Sequence, residues 1–86
     1  MNAVRIALLI RKHGFPVINV EEGDHDMDGM VEINEKVHIN VPTYGRKLCV
    51  AAEVDNGTAF RFYPERNPTD WPLICADIRT ALEAKT

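Results

Sequence analysis

The chain has 86 residues and a net charge of −3, and 45% of its residues are hydrophobic. This length and composition predict one folded domain over residues 1–86, and they exclude a disordered chain, which would lack the apolar surface needed to offset the entropy lost on folding. Ser does not occur, so Ser-based hydrolysis is excluded, and the negative charge disfavours nucleic acid as the main partner.

A helix is predicted over residues 2–13, because apolar residues, Val4 and Leu8 among them, recur at helical spacing. The side chain of Asn2 is suited to cap its N terminus. The basic residues near its end suit the negative pole of the helix dipole, and Gly14 is suited to end the helix.

Alternation with a period of two predicts strands in the middle of the chain. A first strand is predicted to begin at Phe15 and to end at residues 21–23. In residues 31–41 the apolar side chains occupy odd positions and the polar ones even positions, which predicts one buried and one wet face. Glu35 breaks this pattern, so the segment forms either one long strand or a hairpin that turns at Asn34 and Glu35; we favour the hairpin.

A second hairpin is predicted around Asn56-Gly57, because this pair tolerates the positive φ angles of a two-residue turn. The turn would join a strand over residues 48–54 to a strand over 59–63. Phe60 and Phe62 lie on one side of the latter strand, and we expect that side to face the core.

The last element is predicted to be a helix with an apolar stripe, capped by Thr69 and with Asp70 and Pro72 in its first turn. The order of elements therefore predicts an α+β fold. We expect an N-terminal helix, a four- to five-stranded antiparallel β-meander and a C-terminal helix, with both helices packed on one face of the sheet.

The most specific motif is DHDMDGMVEINE, residues 24–35, which matches the pattern D-x-D-x-D-G-x5-E at every specified position. Over these residues the chain resembles the EF-hand family. The resemblance implies a calcium loop with a sharp turn at Gly29 and oxygen ligands from Asp24, Asp26, Asp28, Met30, Glu32 and Glu35. The flanks differ from the family, because Pro16 and Gly23 predict a strand where an EF-hand has its entering helix.

Charge is distributed unevenly along the chain, since residues 15–35 contain seven acidic and no basic residues. A segment with this charge attracts basic partners. We therefore predict a non-catalytic binding protein whose partner, another protein with a basic surface, contacts the acidic loop, residues 21–35. The candidate partner-binding residues are Glu21, Glu22, Asp24, Asp26 and Asp28, and calcium binding by residues 24–35 is the alternative function.

The cysteines, the scattered acidic residues and the apolar run near the N terminus bear on catalysis and on cellular location. Cys49 and Cys75 lie in a predicted strand and a predicted helix, so we expect two free thiols. Scattered acids such as Glu53 and Asp77 form no catalytic set, and we expect no enzymatic activity. The apolar run of residues 6–10 is too short for a membrane span or a signal peptide, which predicts a cytoplasmic protein.

Two further expectations concern partners. The predicted order of elements resembles that of double-stranded RNA-binding domains, but the last helix opens with Thr69-Asp70-Trp71-Pro72 where that family has a lysine cluster. Nucleic acid is therefore not expected as a ligand, nor is any cofactor other than calcium. A sheet covered on one side leaves a face or an edge exposed, and a symmetric homodimer is a common way to cover it.

Overall fold

The structure, a computed structural model, describes residues 2–84. Two helices flank five strands in the chain. The elements are α1 (Ala3–Lys12), β1 (Asn19–Glu21), β2 (Gly29–Glu32), β3 (Val37–Val41), β4 (Cys49–Val54), β5 (Ala59–Phe62) and α2 (Trp71–Glu83).

The strands form one antiparallel sheet in the order β1-β2-β3-β4-β5, so each strand pairs with its neighbour in sequence. At the centre, Val31 of β2 pairs with Ile39 of β3, which in turn pairs with Val50 of β4. Helix α1 packs against β1 and β2, and α2 packs against β3 and β4. The predicted fold class, an α+β meander with both helices on one face, is confirmed.

The core lies between the helices and this face of the sheet. Its largest fully buried side chains are Ile10, Ile33, Ile39, Leu48, Ile74, Ile78, Val31, Val41 and Val50. Each such side chain contributes about 1.5 to 3 kcal/mol when it is removed from water. The odd-numbered positions of residues 31–41 supply much of this core, as the alternation predicts.

Helix α1 begins and ends as predicted. Asn2 is its N-cap, and its Oδ1 accepts a hydrogen bond from the Arg5 N–H at 2.9 Å. After the helix, Gly14 adopts a positive φ of 93°, and the Phe15 N–H donates to the Ile10 carbonyl at 3.2 Å. These bonds satisfy groups that a helix end would otherwise leave without partners.

The segment 31–41 is a hairpin, as favoured above, because β2 ends at Glu32 and β3 begins at Val37. The Asn34 Oδ1 accepts hydrogen bonds from the N–H groups of Lys36 and Val37 at 2.8 and 2.7 Å. A side chain that accepts from the main chain two and three residues ahead stabilises a tight turn.

Three predicted boundaries were wrong. Strand β1 begins at Asn19 and not at Phe15, since Pro16 has no N–H to donate to a neighbouring strand. The N-cap of α2 is Asp70 and not Thr69, because the Asp70 N–H donates to the Asn67 carbonyl at 3.0 Å and closes a separate turn before the helix.

The third error concerns the β4–β5 turn, which contains four residues and not two, since Val54 pairs with Ala59. The positive φ angles extend over Asp55, Asn56 and Gly57, at 53°, 56° and 88°. Thr58 closes the turn, because its hydroxyl donates to the Asp55 carbonyl at 2.8 Å.

An ion pair holds the segment between β5 and α2 against that helix. The Arg66 guanidinium donates from Nε to Asp77 Oδ2 at 2.7 Å and from Nη2 to Asp77 Oδ1 at 3.1 Å. This hydrogen bonding to Asp77 raises the pKa of Arg66. No helix within residues 2–84 is long and apolar enough to cross a membrane.

Candidate functional site

The helices leave one face of the sheet uncovered, and we call it the open face. The strand register places eleven residues on this face: Asn19, Glu21, Met30, Glu32, His38, Asn40, Cys49, Ala51, Glu53, Phe60 and Phe62. Three of the eleven are Glu, two are Phe, and none is Lys or Arg. The pairing of β3 with β4 continues for one residue beyond β3, because the Glu53 N–H donates to the Lys36 carbonyl at 2.7 Å, so Lys36 lies opposite Glu53 at one end of this face. The open face therefore combines apolar surface with negative charge.

The aromatic residues of the open face lie together at its β5 side. Phe60 and Phe62 have ring centroids 6.4 Å apart, and the His38 ring meets Phe60 edge to face at 5.6 Å. Beneath them Ala51 is fully buried, with 0% of its surface exposed. Phe60 and Phe62 thus form a small apolar patch, the aromatic patch, on a sheet face that is otherwise polar.

The expectation that Phe60 and Phe62 face the core was wrong. They are 48% and 62% exposed, because Phe60 pairs with Glu53 and Phe62 with Ala51, both on the open face. Tyr63, one residue further, packs against the core instead. An edge strand has room for large side chains on either face, so alternation alone did not decide between them.

His38 lies at the centre of the open face, between Glu32 of β2 and Ala51 of β4. Desolvation lowers its pKa below the ordinary value of 6.5, against the opposing effects of a hydrogen bond with Asn40 and the charge of Glu32. His38 is therefore mostly neutral at pH 7, and it does not offset the negative charge of the three Glu side chains.

The acidic loop connects β1 to β2, and part of its charge holds the loop in place. The Glu22 Oε1 accepts a hydrogen bond from the Val4 N–H at 2.8 Å, which places a carboxylate at the N terminus of α1. The Asp24 Oδ1 accepts from the N–H groups of Asp26 and Met27 at 2.8 and 2.9 Å. Both carboxylates accept hydrogen bonds from main-chain donors, and the negative charge of Glu22 interacts favourably with the positive end of the α1 dipole.

The end of the loop is attached to the β3–β4 connection. The Asp28 Oδ1 accepts from the Thr43 N–H at 3.1 Å, and the Thr43 hydroxyl donates to the Met27 carbonyl at 3.0 Å. Gly23 and Gly29 form the neck of the loop, since a Cβ added to Gly23 would lie 2.6 Å from the Gly29 nitrogen. Gly29 is thus needed for close approach of two chain segments, and it is not among the residues with positive φ.

The structure brings together only some of the candidate calcium ligands. The ligand atoms of Asp24, His25 and Asp26 lie within 4.8 Å of one another, the one such group found within residues 2–84. Met30 and Glu32 lie in β2, and Glu35 lies in the turn after it. Four strand residues separate that turn from Asp28, which is about 13 Å at a rise of roughly 3.3 Å per residue.

A shallow cavity of about 430 Å³ connects the acidic loop to the open face. Its lining includes Asp28 at the loop end and Asn40, Cys49 and Phe62 from three strands. Burial raises the pKa of the Cys49 thiol, whose Sγ donates to the Tyr63 carbonyl at 3.1 Å. The lining also includes Glu65 and Lys47, so the cavity joins the acidic loop to the open face through a surface that holds two carboxylates, one ammonium group and the ring of Phe62.

A second concavity lies on the helix side of the molecule, between α1 and the chain that enters α2. It has a volume of about 510 Å³, and Arg5 is its only charged lining residue. Ile6, Leu9 and Trp71 supply its apolar surface. Trp71 also stacks on His13 at the end of α1, with ring centroids 4.9 Å apart, which joins the two helices at one edge of the core.

Sequence reasoning placed the acidic loop but missed the sheet residues that accompany it. The signal for them was present: the even positions of β2, β3 and β5 share one face once the strand register is known. Comparison with models of known protein families, with curated proteins and with solved structures found no match.

Proposed function

We propose that the protein is a non-catalytic binding module whose open face and acidic loop hold a basic segment of another protein. One observation carries the proposal: the strand residues of the open face include three Glu and two exposed Phe and no Lys or Arg, and Lys36 at one end is the cation beside them. Aromatic rings and carboxylates are the groups that a Lys or Arg side chain contacts favourably, through cation–π interactions and ion pairs.

The arrangement of the two charged regions fits this partner. Glu21 lies on the open face where the loop begins, and Asp26 extends from the loop with 78% of its side chain exposed. Their fields add at the end of the sheet where Phe62 borders the cavity described above. The negative charge would attract a basic protein to this side of the molecule before contact. After contact, cation–π interactions with Phe60 and Phe62 would hold it.

A second copy of the chain is a poorer occupant of the same surface. In a symmetric face-to-face dimer, Glu32 and Glu53 of one copy would meet the same carboxylates on a face whose strand residues include no Lys or Arg. Like charges across an interface cost free energy, and more so when they are desolvated. We therefore propose a partner of different composition and not a homodimer through this face.

We propose a non-catalytic protein because its thiols and its buried carboxylate are not available as nucleophiles or bases. Burial raises the pKa of both thiols, Cys49 and Cys75, and keeps them protonated. Asp77 is engaged by Arg66 and is only 7% exposed. Because both cysteines are free, the proposal includes a reducing compartment such as the cytoplasm.

The experiment uses a labelled, capped peptide of alternating Lys and Thr as the basic probe, with fluorescence anisotropy to measure Kd at low salt. The variant that combines Glu21→Gln, Glu32→Gln and Glu53→Gln should bind about tenfold more weakly, since three exposed ion pairs contribute roughly 0.5 kcal/mol each. A second variant, Phe60→Ser with Phe62→Ser, should lose a similar factor through its cation–π contacts.

A matched control separates local contacts from net charge. Asp55→Asn, Asp70→Asn and Glu83→Gln remove the same number of charges from the β4–β5 turn and from the two ends of α2, outside both the open face and the acidic loop. This variant should keep most of the affinity for the probe. The proposal fails if the control and the open-face variant lose affinity equally, or if the intact chain does not bind the probe.

Calcium binding in the loop is the second candidate function. The cluster of Asp24, His25 and Asp26 favours it, because their ligand atoms lie close enough for one ion to contact. The position of Glu35 weighs against it, since an EF-hand needs a bidentate carboxylate at that loop position. A calcium site, if present, would use the Asp cluster without Glu35 and bind with low affinity.

A further inference from the structure

The outer edge of the sheet beside Phe60 and Phe62 is available for pairing. β5 is the last strand in the sheet order, and most of it is exposed. Among residues 2–84, no hydrogen bond outside the sheet reaches the main chain of Phe60 or Phe62. An uncovered edge strand is a template for another extended chain.

The strand register determines which main-chain groups point outward. The Tyr63 N–H donates to the Val50 carbonyl at 2.9 Å, so this pair is a hydrogen-bonded one. Hydrogen-bonded pairs alternate with non-hydrogen-bonded pairs along an antiparallel ladder, which makes Phe60–Glu53 and Phe62–Ala51 the non-bonded pairs. The N–H and C=O groups of Phe60 and Phe62 therefore point away from β4, toward the free edge.

The side chains of the same two residues lie on the acidic open face. In an antiparallel pair, residues directly opposite each other have their side chains on the same side of the sheet. A strand added to β5 would therefore place alternate side chains beside the rings of Phe60 and Phe62. Lys or Arg at those positions would lie over the rings and near Glu53, which pairs with Phe60.

The other edge of the sheet lacks these features. β1 has three residues, and α1 packs against it. Its side chains on the open face are Asn19 and Glu21, with no aromatic ring. The Asn19 amide already donates to the Glu32 carboxylate at 3.1 Å. Of the two edges, only β5 combines free main-chain groups with aromatic side chains.

We infer that the basic segment binds as an extended chain that adds to β5 as a sixth, antiparallel strand, with alternate Lys or Arg side chains over Phe60 and Phe62. This inference rests on the proposed function and specifies the conformation of its partner. Main-chain hydrogen bonds to the edge give affinity in this mode of recognition, and the alternate side chains give specificity.

The test uses two N-methylated versions of the Lys-Thr probe with the intact chain. In an antiparallel sixth strand, the Lys nitrogens face β5 and the Thr nitrogens face solvent. Methylation of the Lys nitrogens should weaken binding at least about tenfold, whereas methylation of the Thr nitrogens should leave Kd nearly unchanged. With the unmodified probe bound, hydrogen exchange at the N–H groups of Phe60 and Phe62 should slow.

The outcomes distinguish this inference from the proposed function. If the two methylated probes bind as tightly as the unmodified one, or lose affinity equally, strand addition is wrong while binding through the open face stands. If only the Thr-methylated probe loses affinity, the antiparallel orientation is wrong. If the unmodified probe does not bind the intact chain at all, both the inference and the proposed function are overturned.

Discussion

At the scale of single residues, the buried hydroxyl of Tyr63 lowers the free energy of unfolding. Its hydroxyl is the one buried side-chain polar atom without a hydrogen-bond partner in the part of the chain that the structure describes. A buried donor without a partner loses its hydrogen bonds to water and gains none in return. The ring itself packs against the core and stabilises it.

Tyr63→Phe should therefore leave the free energy of unfolding unchanged or raise it by about 1 kcal/mol, since it removes the hydroxyl and keeps the ring. Urea unfolding measures the change. Tyr44→Phe is the matched control, because Tyr44 is 77% exposed. A clear loss of stability in Tyr63→Phe but not in Tyr44→Phe would mean that the Tyr63 hydroxyl has a partner after all.

His38 makes the stability of the protein depend on pH. Because the folded state lowers its pKa below 6.5, the unfolded chain takes up this proton first as the pH falls. The free energy of unfolding is then unaffected well above pH 6.5, decreases as the pH falls through that value, and levels off below the folded pKa.

Between about pH 7.5 and about pH 5.5, the His38→Gln variant should lose less stability than the parent chain. The urea midpoint at each pH is the measurement. His25→Gln is the control, because the His25 side chain is 78% exposed, and it should follow the parent. Equal losses in the parent and in His38→Gln would contradict the assigned effect of burial on His38.

At the scale of elements, the neck of the acidic loop determines where its carboxylates lie. Gly23→Ala would place a methyl group 2.6 Å from the Gly29 nitrogen and 2.8 Å from the Met27 carbonyl oxygen. Main-chain atoms cannot move aside as a flexible side chain can, so the neck must open.

We expect Gly23→Ala to lower the free energy of unfolding by about 1 to 3 kcal/mol, as other overpacked sites do. Thermal melting measures the loss. Gly14→Ala separates this clash from backbone strain, since Gly14 has a φ of 93° but no atom within 4 Å of the added Cβ. Its cost should be near 1 kcal/mol. A neutral Gly23→Ala would contradict the close approach of Gly23 to Gly29 at the neck.

The loop also permits a direct test of the EF-hand resemblance. Because Glu35 lies beyond β2, millimolar calcium should not raise the Tm of chelator-treated protein more than magnesium does. A calcium-specific rise that disappears in Glu35→Ala would overturn this expectation, since it would require Glu35 to reach the Asp cluster.

The elements differ in how much of them the sequence predicts. Helix α1 and the hairpin of residues 31–41 follow from local signals, the cap at Asn2 and the turn at Asn34. The face that Phe60 and Phe62 occupy does not, because it depends on the pairing register of β5 with β4, a contact between distant residues. Half of the candidate site was therefore visible in the sequence as an acidic loop, while the aromatic half required the sheet.

At the scale of the whole molecule, charge is separated between two sides. The open face and the acidic loop are negative, while α1, on the opposite side of the sheet, carries Arg5, Arg11 and Lys12 and no acidic residue. This separation would orient an approaching basic protein toward the open face. Long-range attraction of this kind is weakened by salt, because the Debye length falls to about 8 Å at physiological ionic strength.

The association rate of the Lys-Thr probe should therefore fall severalfold as salt is raised from about 10 mM to about 150 mM, with a smaller effect on dissociation. Stopped-flow fluorescence separates the two rates. An association rate that is independent of salt would mean that the charge separation does not steer the partner.

The most direct test of binding through the open face is an NMR titration of the isotopically labelled chain with the Lys-Thr probe. Binding through this face should shift the amide signals of β4, β5 and the acidic loop, with Glu53, Phe60 and Phe62 among the largest changes. Shifts confined to the groove beside Arg5 and Trp71, or no shifts at all, would contradict it.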